Sequence, residues 1–157
     1  MNKLEVYNRL YEILKRDTKS FKFVLKKLNN QNVNSYPILH LAIVSSNFIT
    51  LDSAVQVEQV EFDAYIIAAV PPNNSLISES ELLMKLTQEV EEALAKPSNW
   101  YTNHLGFKGF VHDVQVVQIQ YYDDSTAGEG TISASVTFVV VESASGFEKD
   151  YTPESQF

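Results

Sequence analysis

Acid–base or metal chemistry in this 157-residue sequence would have to come from three histidines and a scatter of carboxylates, because it contains no cysteine. Thiol catalysis, disulfides and zinc–thiolate sites are therefore excluded. His104 and His112 stand eight residues apart with Asp113 beside the second. Such a trio could ligate a cation or steer an imidazole base, but its spacing matches no established ligand pattern. His40 lies in the apolar run "ILHLAIV" and reads as a core or interface histidine rather than a base. Asp123, Asp124 and Glu129 in "YYDDSTAGEG" offer oxygens for calcium, yet the alternating acidic positions and terminal glutamate of a calcium loop are missing. A solvated tip is the expectation there. Glu89, Glu91 and Glu92 fall on the polar side of a helical pattern and are expected to be a solvated face. No nucleophile elbow, phosphate loop or dinucleotide fingerprint occurs, and Gly106 and Gly109 of "HLGFKGF" suit turns better than a phosphate cradle. No catalytic set, cofactor or metal is expected.

The composition is that of an ordinary globular chain, 45% hydrophobic and 20% charged. A core that needs no disulfides is within reach at this length. No apolar run approaches the length of a membrane-spanning helix, and the charged, amphipathic start "MNKLEVYNRLYEILKR" is no signal peptide. The net charge of −8 is unevenly placed. Residues 1–30 hold eight basic against three acidic residues, a net +5, and residues 31–157 hold four against seventeen, a net −13. Two readings stand: a basic first helix on an acidic body, or complementary surfaces that meet partners. Wrapping of nucleic acid is disfavoured, since it requires clustered lysine and arginine.

The elements that would position these groups follow from periodicity. Val6, Leu10, Ile13 and Leu14 set a helical stripe over 4–15, widened by Leu4, Tyr7 and Tyr11. "FKFVLKKL" fits either element and is read as a strand from its aromatic and β-branched start. Residues 38–44 predict a strand covered on both faces, and 55–69 a strand with Phe62, Ala64, Ile66 and Ala68 on one side. "SESE" at 78–81 is a capping box, opening a helix with Leu82, Leu83, Leu86, Val90, Ala93 and Leu94 on one face and ended by Pro97. A loop over 98–113 carries Trp100, Tyr101, Phe107 and Phe110, which either cover the core or form a contact patch. A long hairpin follows. Its second strand alternates from Ile132 to Val140 and predicts one buried face; the first changes apolar parity between Val116 and Val117, predicting a β-bulge. The fold class is α+β, an antiparallel or mixed sheet with two main helices packed on one face.

In order, "LEVYNRLYEILKR", "FKFV", "YPILHLAIV", "VEFDAYIIAA", "SESELLMKLTQEVEEALA" and "VQVVQIQYYDDSTAGEGTISASVTFVVV" resemble the tail terminator, or tail completion, proteins of long-tailed bacteriophages. The resemblance spans about residues 3–142, taken as one domain, with 143–157 as a polar, flexible tail. It rests on element order and patterning rather than a signature motif. It implies a non-enzymatic virion protein, without cofactor or membrane partner. Copies would form a ring, usually sixfold, on the head-proximal end of the tail tube. That ring would stop tube growth and meet tube, sheath and head or neck proteins, with assembly in the host cytoplasm. Arg9, Lys15, Arg16, Trp100, Phe107, Asp123, Asp124 and Glu129 are the assembly contacts expected on this reading. The alternatives are another connector, such as a head-closure or neck protein, or a small ligand-binding or enzymatic domain using His104, His112 and Asp113.

Overall fold

A computed structural model describes residues 1–28, 35–50, 56–96, 112–122 and 130–142, with only the backbone of His112 and Glu142. Seven elements run in order: α1 (Lys3–Asp17), β1 (Phe23–Leu25), β2 (Ile38–Thr50), β3 (Gln56–Ala69), α2 (Glu79–Ala95), β4 (His112–Tyr122) and β5 (Thr131–Glu142). The strands form one sheet in the order β1-β2-β3-β5-β4. β1 runs parallel to β2, and every other pair is antiparallel. The fold is thus α+β with a mixed sheet, and both helices pack on one of its faces.

Local chemistry accounts for the two helices. In α1 the Asn2 side chain caps the first turn by accepting from the Glu5 amide at 3.1 Å. The buried stripe is Val6, Leu10, Ile13 and Leu14, while Lys15 and Arg16 sit in the last turn where the helix dipole favours cations. Tyr7 and Tyr11 widen the stripe as expected, but Leu4 does not: it is 70% exposed on the outer flank. In α2 the capping box is complete, with Ser78 Oγ accepting from the Glu81 amide at 3.1 Å and Glu81 Oε1 accepting from the Ser78 amide at 3.0 Å. Ser78→Ala should cost about 1 kcal/mol. A thermal melt should register this as a fall of about 2–4 °C; an unchanged midpoint would mean the box adds nothing to stability.

The core lies between the helices and the facing side of the sheet. Phe62 and Phe138, fully buried on neighbouring strands, stack at 5.7 Å between centroids, and Tyr7 stacks on Phe62 at 6.3 Å. Around them Leu39, Leu41, Ala64, Ile66, Ala134 and Val136 meet Leu10, Leu86 and Val90 from the helices. The predicted bulge in β4 is present, between Val116 and Gln118, and a second one lies in β2 between Ile43 and Ser45.

Three expectations change. β2 is not covered on both faces: Ile38, Leu39 and Leu41 are buried, but Ile43 and Val44 are about half exposed and the strand continues to Thr50. β1 pairs only with residues 38–40, so the rest of β2 is a sheet edge among the described residues. Asp113 belongs to β4 and not to the preceding loop. β5 is inserted between β3 and β4, and the hairpin tip 123–129 lies outside the described residues. β5 is not half-buried. Ser133 and Ser135, on the helix-free side, are buried, as is Ala134 on the other. The rings of Tyr65 and Tyr122, opposite Ser135 and Ser133 on the two flanking strands, approach to 6.3 Å and close over these small side chains.

Candidate assembly surface

Charge divides across the sheet as it does along the sequence. α1 lies over the β1–β2 side and α2 over the β3–β5–β4 side, so the basic N-terminal segment occupies one edge of the domain. Residues 3–28 carry eight basic and three acidic side chains, a net +5. α2 with Lys96 and β4 carries two against six, a net −4. The charge asymmetry of the sequence is therefore an asymmetry between two opposite edges.

A cleft opens at each edge. Beside β2, one of about 390 Å³ is lined by Lys3, Leu4, Tyr7, Lys26, Leu41 and Ile43. The Tyr7 hydroxyl donates to the Leu41 carbonyl at 2.9 Å, which fixes the cleft wall to the strand. Lys26 Nζ donates to Asn8 Oδ1 and stands 4.7 Å from the centre of the Tyr11 ring, so its charge is held against the helix flank. Beside β4, a cleft of about 440 Å³ is lined by Gln88, Glu91, Glu92, Ala95, Val114 and Val116. One cleft is basic and aromatic; the other is acidic and aliphatic.

Three ionic groups have structural work that their sequence context does not announce. Glu58 is buried on the helix-facing side of β3, with Lys3 Nζ at 2.9 Å and the Met1 amino group at 3.4 Å. Burial pushes its pKa up, but hydrogen bonds and charge from Lys3 and the amino group outweigh that and hold it below the ordinary value. Glu58 shares the even-numbered parity of Phe62 and Ala64, the signal that would have found it. Glu89 is not part of a solvated face. Its carboxylate accepts from the Lys19 amide at 2.9 Å, the Ser20 amide at 3.1 Å and the Ser20 hydroxyl, tying α2 to the segment after α1. Asp17 gathers Arg16 at 2.8 Å and Lys96 at 3.6 Å, so Arg16 is committed to an ion pair rather than offered as an isolated contact.

Of the other expected contacts, Lys15 is exposed over the Tyr11 ring at 5.7 Å and Arg9 is half-buried on α1. Trp100, Phe107, Asp123, Asp124 and Glu129 lie outside the described residues, as do His104, Pro97 and the tail 143–157. His40 is half-buried on the helix-free side of the sheet, with Nε2 3.3 Å from the Lys26 carbonyl oxygen. Asp113 is exposed, and Gln115 Nε2 donates to it at 3.3 Å. Among the described residues no three His, Asp or Glu side chains are grouped to hold a metal ion, and no helix is long and apolar enough to cross a membrane. Four large apolar side chains on β2 are instead left open: Ile43, Val44, Phe48 and Ile49. No family model matches the sequence, and no curated protein matches it.

Proposed function

We propose that this chain is a non-enzymatic structural protein of a long-tailed bacteriophage, a tail terminator whose copies form a ring on the head-proximal end of the tail tube. The ring ends tube polymerisation and offers its outer surface to the head or neck. The reading starts from the resemblance in element order. The observation that supports it most is the exposed, uncharged stretch of β2, with Phe48 60% and Ile43 50% accessible. Large apolar side chains left open along one edge strand suit a protein contact. The −13 carried by residues 31–157 supports a lumen that lets DNA pass without gripping it, since phosphate is repelled by an acidic wall.

A phage lacking this chain tests the reading directly. Tails of uncontrolled length that fail to join heads are expected, with normal length and joining restored when the wild-type chain is supplied. Tails of normal length in its absence would overturn the function, and normal length without head joining would favour a head-closure or neck role.

A further inference from the structure

We propose that neighbouring copies join head to tail through the two sheet edges, residues 114–119 of β4 in one copy pairing antiparallel with residues 41–46 of β2 in the next. The inference rests on the ring reading and names its interface. A ring requires two different surfaces that fit each other, and the two edges differ in the complementary way.

Both edges are prepared for pairing. Among the described residues, no strand pairs with β2 beyond His40 or with the outer side of β4. Solitary edge strands are commonly guarded by lysine, proline or an inward charge. Residues 41–46, "LAIVSS", and 114–119, "VQVVQI", contain no charged residue and no proline. The two segments are of similar length.

Strand direction also fits. β2–β3, β3–β5 and β5–β4 are each antiparallel, so β4 runs opposite to β2 within one copy. A second copy placed beside the first in the same orientation therefore presents β4 antiparallel to β2. No flip of the subunit is needed, and the antiparallel ladder is the stronger one.

Height along the strands is the third match. Ile43, Phe62, Phe138 and Val116 form one row across the sheet by direct pairing. Ile43 lines the basic cleft at one end of that row, and Val116 lines the acidic cleft at the other. A ring whose axis follows the strands closes without any shift along them. Copies related in this way bring Glu91 and Glu92 of one against Lys3 and Lys26 of the next, with Val116 beside Ile43. Apolar strand contacts are thereby flanked by opposite charge, which sets partner and register.

The test uses the full chain and sedimentation or light scattering. Wild-type protein is expected to have a mass several times 17.8 kDa. The Glu91→Lys/Glu92→Lys variant should associate at least about ten-fold more weakly, since like charges would then face each other. Lys26→Glu, altered at the other edge, should fail in the same way, and circular dichroism checks that each variant is folded. Mixing the two variants should restore association, because each reversed edge then meets its complement. A mixture that stays monomeric, or reversed variants that assemble like wild type, would overturn this interface. The failure is distinct from that of the tail reading: wild-type chains that assemble through these edges yet leave tail length unchanged would sink the function and keep the interface.

Discussion

Phe62→Ala is expected to destabilise the chain by about 3–5 kcal/mol, the usual cost of removing a fully buried aromatic ring. The site gives little room for relief. Phe62 is completely inaccessible, stacked on Phe138 at 5.7 Å and on Tyr7 at 6.3 Å, so its removal strips one face from both neighbours. The surrounding backbone is held by pairing on both sides, to Ile43 in β2 and Phe138 in β5. Collapse into the void would require three strands and α1 to shift together, which a close-packed interior resists. Urea unfolding should show a lower midpoint at unchanged slope. Phe62→Leu, which keeps most of the volume, should lose much less. A loss below about 1 kcal/mol for the alanine variant would mean the aromatic stack is not the centre of the core.

The helices and the alternate face of β3 were legible because their signals are local. The Ser78–Glu81 box needs four consecutive residues, and the parity change at Val116 and Val117 is visible within one strand. The position of β5 was not legible in this way. A hairpin pattern predicts that β4 and β5 pair, but β5 lies beside β3 through contacts more than sixty residues apart, such as Ala64 with Val136. That placement buries Ser133 and Ser135, which a period of two reads as solvent-facing. The partners of Glu58 and Glu89 were not legible for a related reason. Each glutamate is one acidic residue among several, and only the folded chain brings Lys3 to the first and the Ser20 segment to the second. The basic and acidic halves were visible in the sequence; that they become opposite edges of one sheet follows from strand order.

Glu89→Ala should cost about 2 kcal/mol near pH 7, taking hydrogen bonds to a charged group at about 1.5–3 kcal/mol and discounting for the partial exposure of this one. Three donors are involved, the Lys19 amide, the Ser20 amide and the Ser20 hydroxyl, and they anchor the segment between α1 and β1 onto α2. Partial burial raises the pKa of Glu89, but these donors and the nearby Lys85 charge lower it by more, leaving it below its ordinary value of 4.5. A carboxylate with a depressed folded-state pKa stabilises fully above its unfolded pKa, and the contribution fades as pH falls through the folded one. The stability gap between wild type and Glu89→Gln should therefore be constant from about pH 8 down to about pH 5 and shrink below the ordinary value. Glu58 is depressed too, so the wild type alone loses stability in acid from both groups, and the difference from Glu89→Gln isolates this one. Chemical denaturation of the two proteins across that range supplies the measurement. A gap that persists undiminished in acid would mean the carboxylate's charge contributes nothing. No gap near neutrality would mean the Ser20 segment is held to α2 by something other than Glu89.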